Sequence, residues 1–95
     1  MSAKTPTASS DVEILSRVIQ PKHSNLSAAA ARGWLKLDFD QQDRDRMHEL
    51  ALKAQEGSLT PPEEAALDNY RRVGRILDLL HSKARLSLKK HGLSA

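Results

Sequence analysis

The residues with the most evident chemical potential in this chain are four closely spaced aspartates, Asp38, Asp40, Asp43 and Asp45. Such oxygen ligands suit calcium, but a loop of the EF-hand type needs glycine at its sixth position and a bidentate glutamate at its twelfth. Counted from Asp38, these positions hold Asp43 and Glu49. Because the glycine is missing, we expect no metal here. The aspartates are better explained as a helix cap with first-turn acids, or as an acidic surface for a basic partner.

Histidines and nucleophilic residue types show no catalytic spacing either. His48-Glu49 could open the H-E-x-x-H zinc motif, but Leu52 stands where the second histidine is needed. The chain has no cysteine, and it contains no glycine-rich phosphate loop, nucleophile elbow or Ser/His/Asp arrangement. The sequence therefore predicts a protein without catalytic residues, metal or cofactor, which is not an enzyme.

Basic residues are concentrated in the last third of the chain, where they could bind phosphate. Residues 69–95 hold seven Lys/Arg and one Asp/Glu, a net charge of +6, whereas residues 37–68 have a net charge of −6. Cationic stripes on a helix bind nucleic acid by releasing counterions, although no helix-turn-helix spacing or aromatic stacking platform accompanies them here. The residues of this alternative nucleic-acid surface are Arg71, Arg75, Lys83, Arg85, Lys89 and Lys90.

The elements that must position these side chains are predicted to be helices of one small domain. The chain has 95 residues, of which 39% are hydrophobic, with a single Trp, Tyr and Phe, so we expect a core of Leu, Ile, Val and Ala. No apolar run approaches the roughly 20 residues that span a bilayer, and the N-terminus lacks the apolar region of a secretory signal. We therefore expect a cytoplasmic all-α protein of three or four helices.

Capping signals set the predicted helix boundaries. Ser10 and Glu13 form one capping box, Thr60 and Glu63 form another, and Gly57 is a stop signal. Residues 1–9 have little to bury and are expected to be a disordered tail before the single domain of residues 10–95. The predicted helices cover about residues 11–20, 28–37, 41–56 and 61–91, and the last two should form an antiparallel hairpin. The expected core stripe of the third helix is Met47, Leu50, Ala51 and Ala54.

The last helix is longer than its own domain should be able to cover. Residues 61–91 would measure about 45 Å at roughly 1.5 Å per residue, whereas a compact chain of this length is about 30 Å across. Unless the helix kinks near Gly74, part of its apolar surface is left over. Either the earlier helices cover that surface, or it faces a second protein or a second copy of the chain.

One set of residues is predicted to contact such a partner. Buried aromatic and aliphatic side chains carry most interface energy, a mid-helix glycine permits close backbone approach, and charged residues speed association. The predicted partner-binding residues are Tyr70, Val73, Gly74, Ile76, Leu77, Leu80, Arg71, Arg72, Asp38, Asp40, Asp43 and Asp45.

Three segments, residues 54–64, 67–74 and 82–88, carry a resemblance to a family. Over about residues 13–88 the chain resembles small bacterial proteins encoded beside a toxin-like nuclease, often of the HNH type. The most specific features are the Tyr70-x-x-Val73-Gly74 step and the Lys-Ala-Arg that follows it, while Pro62 stands where the family more often has Glu. The resemblance implies a toxin–antitoxin-like partnership with this chain as the non-catalytic antitoxin or accessory subunit.

Three functional hypotheses follow from the sequence. The first is a non-catalytic, antitoxin-like protein-binding module that docks on and restrains a partner nuclease through the long C-terminal helix. The second is a small basic nucleic-acid-binding regulatory protein. The third is a homodimeric helical protein with a structural role.

Overall fold

A computed structural model describes residues 10–93, and within that range the chain is all-α. The four helices are α1 (Asp11–Ile19), α2 (Ala28–Leu35), α3 (Gln41–Glu56) and α4 (Pro61–Lys90). This confirms the predicted fold class, including the long C-terminal helix. The tail predicted to be disordered, residues 1–9, lies outside the described residues.

Each helix begins at a residue whose side chain replaces a missing backbone partner. The N-cap oxygen accepts a hydrogen bond from the backbone N–H three residues later, which satisfies one of the free donors of the first turn. At α1 and α4 a glutamate also reaches back to the N-cap backbone, so both predicted capping boxes are confirmed. The four N-caps are Ser10, Ser27, Asp40 and Thr60.

Helix α3 ends at Glu56 as predicted, whereas the other three helices end one or two residues earlier than predicted, α4 at Lys90 instead of residue 91. Helix α2 was expected to reach Leu37 but ends at Leu35, because the N–H groups of Lys36 and Leu37 bond three residues back instead of four. Such bonds tighten the last turn into 3₁₀ geometry and turn the chain away. Helix α1 ends at Ile19, where Gln20 takes the left-handed conformation with φ of 53°.

Helix α4 supports all the others. Helices α1, α2 and α3 each pack on α4, and among residues 10–93 they do not contact one another. Helices α3 and α4 form the predicted antiparallel hairpin, in which Gly57 has φ of 70° at the turn and Lys53 pairs with Glu63 just beyond it. The Cα radius of gyration is 16.9 Å and the principal-axis extents are 47 × 46 × 16 Å, against a radius of about 12 Å for a compact chain of this length, so the molecule is flat and open.

The apolar core is small and lies toward the C-terminal half of α4. Ala84 and Leu88 of α4 are buried against Ala31 of α2, with Leu26 and Trp34 partly buried beside them. Around the N-terminal half of α4, the buried hydrophobic residues among residues 10–93 are Leu67 itself and Leu50 of α3. The first turns of α4 are therefore covered much less completely than the last.

Candidate functional site

A concave apolar surface lies where α3 leaves the N-terminal half of α4 uncovered. We refer to it as the aromatic groove. Its volume is about 410 Å³, within the range of small binding pockets. The residues that line it are Phe39, Asp43, Ala66, Asn69, Tyr70 and Val73.

Two aromatic rings form the base of the aromatic groove. Phe39 and Tyr70 meet edge to face, with ring centroids 5.9 Å apart and planes at 66°, an arrangement that aromatic quadrupoles favour. Phe39 reaches this place because it directly precedes Asp40, the N-cap of α3. Val73, one turn after Tyr70, leaves 43% of its surface exposed at the edge.

A polar contact fixes the wall of the groove. The Tyr70 hydroxyl donates a hydrogen bond of 2.7 Å to Asp43 Oδ1. This bond, together with burial, raises the pKa of Tyr70 above its usual value, because the carboxylate stabilises the protonated phenol. Tyr70 is therefore held in one orientation by a ring on one side and a carboxylate on the other.

The other predicted partner-binding residues of α4 are not all exposed. Tyr70, Gly74, Ile76, Leu77 and Leu80 are half-buried, so Val73 is the exposed one among the predicted apolar contact residues of α4. Helix α4 continues through Gly74, and a Cβ placed there would meet no atom within 4 Å. Among residues 10–93, Gly74 therefore marks neither a helix break nor a close packing contact.

The four aspartates are distributed among local tasks instead of forming one site. Asp38 pairs with Arg44 over 2.6 Å, and its pKa is lowered chiefly by the backbone N–H of Phe39. Asp45 accepts a hydrogen bond of 2.8 Å from Gln41. Asp40 caps α3 and Asp43 holds Tyr70. Among residues 10–93 no group of three or more His, Cys, Asp or Glu could hold a metal.

A second cleft, of about 540 Å³, opens where the N-terminus of α1 meets α4. We refer to it as the arginine cleft. Arg72 donates to Asn69 over 2.8 Å and faces Asp11 at 3.6 Å, while Arg71 makes only a 3.5 Å contact with Asp68. The residues that line the cleft are Ser10, Asp11, Val12, Asp68, Arg71, Arg72 and Arg75.

Lys83 does not belong with the other predicted nucleic-acid residues. Its side chain is buried, with 7% exposure, and its ammonium donates a hydrogen bond of 2.6 Å to the carbonyl oxygen of Ile19 at the end of α1. This placement removes Lys83 from any surface that could meet phosphate. The remaining five residues of that set, Arg71, Arg75, Arg85, Lys89 and Lys90, are exposed.

Sequence reasoning identified Tyr70, Val73 and Asp43 but missed Phe39, Ala66 and Asn69 as groove residues. Ala66 and Asn69 lie one turn before Tyr70 and Val73, so helical spacing alone could have included them. Phe39 is distant from Tyr70 in the sequence. Its position directly before the N-cap Asp40 is the one sequence feature that indicates a fixed orientation.

No family model, curated protein or solved structure matches this chain. Within residues 10–93, every helix is either too short or too polar to cross a lipid bilayer.

Proposed function

We propose that this chain is a non-catalytic protein-binding module that docks on a partner protein through the aromatic groove. More specifically, we propose an antitoxin-like role in the cytoplasm, in which docking restrains a partner nuclease. The observation that supports binding is the groove itself, where aromatic and aliphatic side chains form a concave surface that their own chain leaves partly open. Rigid aromatic side chains in such pockets are frequent anchors of protein interfaces.

The groove indicates the chemistry of the partner. An apolar side chain would insert over Phe39 and Tyr70, since the base of the groove is made of rings. The wall is polar, because Asp43 and Asn69 line it, and helix α3 begins with acidic residues beside it. A basic partner surface, such as one that binds nucleic acid, would complement these acids and associate faster.

The proposal is tested by coexpressing the chain with any HNH-type nuclease encoded next to its gene, followed by copurification and a nuclease assay. In the variant Val73→Glu a charge stands at the mouth of the groove, and the affinity should fall by more than about tenfold, which corresponds to about 1.4 kcal/mol. The matched control is Val18→Glu, because Val18 is a 73% exposed valine on α1 outside the groove. The control should bind as the unmodified chain does.

Two outcomes would contradict the proposal. If the purified chain leaves the nuclease unbound and fully active, the nuclease is not its partner. If Val73→Glu and Val18→Glu bind equally well, the groove is not the contact surface. A concentration-dependent dimer that Val73→Glu dissociates would instead identify a second copy of the chain as the occupant.

A further inference from the structure

The cationic side chains of α3 form ion pairs, whereas several of those on α4 do not. All three cationic residues of α3, namely Arg44, Arg46 and Lys53, are ion-paired at 2.5–2.6 Å. On α4, by contrast, several cations have no carboxylate within 4.0 Å among residues 10–93. These residues are Arg75, Arg85, Lys89 and Lys90. Arg17, Lys22, Arg32 and Lys36 also lack a carboxylate within 4.0 Å among residues 10–93, but they are spread over α1, α2 and the segments that follow them, whereas α4 carries four exposed unpaired cations on one helix.

Four of the α4 cations share one side of the helix, which we call the outer face (Arg71, Arg75, Arg85 and Lys89). At about 100° per residue they fall within roughly 80° of one another, and they span about 27 Å along the axis. All four are exposed. The α4 side chains that contact the earlier part of the chain lie on other sides of the helix. Lys83 contacts Ile19, and Ser87 contacts Leu26.

The two ends of the outer face differ in shape and in charge. At its N-terminal end Arg71 and Arg75 line the arginine cleft, together with Asp11 and Asp68. Beyond the exposed Asp78 the sequence contains no further Asp or Glu. The field therefore becomes more positive toward Lys89, although Asp68 weakens it at the cleft and Asp78, between Arg75 and Arg85 on the same side of the helix, weakens it in the middle.

Among residues 10–93, no Phe, Tyr or Trp ring lies on the outer face. Tyr70 packs on Phe39 in the aromatic groove, and Trp34 is partly buried against the core. Single-stranded nucleic acid is usually bound by stacking bases on exposed rings, whereas cationic side chains without rings can bind the phosphate backbone of a duplex. The outer face has only the second kind of group.

We propose that the outer face binds the phosphodiester backbone of double-stranded DNA without reading its base sequence. Arg71 and Arg75 contact phosphates at the arginine cleft, and Arg85 and Lys89 contact phosphates farther along the same helix. This surface is separate from the aromatic groove, so the inference does not depend on the proposed protein-binding function.

The test is fluorescence anisotropy of the isolated full chain with a labelled duplex of roughly 20 base pairs, which exceeds the outer face in length at about 3.4 Å per pair. Four phosphate contacts predict a slope of log K against log[salt] of about −3.6, so affinity should fall about 150-fold between about 50 and 200 mM salt. The double variant Arg71→Ala/Arg75→Ala should reduce the slope by about 1.8.

The matched control is Arg44→Gln/Arg46→Gln, which removes the same charge from α3. Its slope should equal that of the unmodified chain, and so should the slope of Val73→Glu. A second double variant, Arg85→Ala/Lys89→Ala, repeats the test at the other end of the outer face. Circular dichroism verifies that each variant remains helical.

Several results would overturn the inference. One is no binding to the duplex at about 50 mM salt, where phosphate contacts are strongest. Another is an equal loss of slope in the α3 control, since that would reflect net charge alone. A third is binding of poly-L-glutamate with the same affinity and slope as DNA, because the surface would then select any polyanion. Tighter binding of a single strand than of the duplex would also contradict it.

Discussion

The hydroxyl of Tyr70 donates a hydrogen bond to Asp43 across the α3–α4 hairpin, with an oxygen–oxygen distance of 2.7 Å. Asp43 is the third residue of α3, and its own N–H bonds to the N-cap Asp40. The contact therefore ties the first turn of α3 to the third turn of α4. Since the same tyrosine ring lies against Phe39, one residue fixes both the hairpin and the base of the aromatic groove.

Replacing Tyr70 with Phe should destabilise the chain modestly. The substitution keeps the ring contact with Phe39 but removes the hydroxyl that bonds to a carboxylate, and the site is only partly buried. We expect a loss of about 1 kcal/mol in the free energy of unfolding. Urea unfolding followed by the fluorescence of Trp34, the only tryptophan, measures it.

A double-mutant cycle with Asp43→Asn isolates the pair. The two single substitutions should be non-additive, because Tyr70→Phe removes the hydroxyl donor and Asp43→Asn removes the carboxylate charge that strengthens the same hydrogen bond. Since Tyr70 is the only tyrosine, its phenolate absorbance reports its pKa directly, and Asp43→Asn should lower that pKa toward the usual value. Strict additivity with an unchanged pKa would mean that the two groups do not interact in solution.

Helix positions followed from the sequence because their signals are local. Ser10, Thr60 and Gly57 each act within a few residues, and all three serve as predicted. The end of α2 was misplaced because nothing in its sequence distinguishes an α-helical last turn from a 3₁₀ turn at Lys36. The prediction placed Leu37 in the helix, whereas in the structure it lies in a loop and its carbonyl accepts a hydrogen bond from His81.

Burial was harder to predict than helix position. The spacing of the α3 stripe predicted a core face, yet only Leu50 is buried there, Met47 is half-buried, and Ala51 and Ala54 are exposed. Periodicity shows which side of a helix is apolar but not how far a neighbouring helix extends over it. Likewise, the contact between Phe39 and Tyr70 depends on how the hairpin aligns, which no local pattern encodes.

The stability of the hairpin should fall in acid through Glu63. The hydrogen bond from Lys53, followed by that from the Thr60 backbone, lowers the pKa of this carboxyl from 4.5 to about 2. A carboxyl whose pKa is lowered on folding stabilises the native state above its unfolded pKa, and this contribution is lost as pH falls. Stability should therefore decline between about pH 4.5 and 2, and Glu63→Gln should remove this part of the pH dependence.

The control for Glu63 is Glu64→Gln, which removes the same charge one residue later at an exposed position. Urea midpoints of both variants, measured from neutral pH into acid, provide the comparison. The Glu64 variant should keep the acid-dependent decline of the unmodified chain. An equal change in both would assign the decline to net charge and not to the Lys53–Glu63 contact.

Replacing either of two glycines with alanine should change the free energy of unfolding, in opposite directions. Gly74 lies inside α4 in open space, so Gly74→Ala should stabilise the chain by about 1 kcal/mol. Gly57 has φ of 70°, where a Cβ is strained, so Gly57→Ala should destabilise it by about 1 kcal/mol. Thermal unfolding measures both. If Gly74→Ala is more stable but binds the partner less well, the glycine serves the interface and not the fold.

Lys83 should matter for the attachment of α1 and not for binding to phosphate. Its buried ammonium donates to the carbonyl of Ile19 at 2.6 Å, one of the helix-end acceptors that have no partner within α1. Lys83→Met keeps the aliphatic stem but leaves that carbonyl unpaired, so amide exchange in α1 should accelerate at least about tenfold, or about 1.4 kcal/mol. Exchange in α3, which does not contact α1, should stay unchanged. The exposed Lys89→Met is the control, and equal protection of α1 in both variants would show that another contact holds the helix.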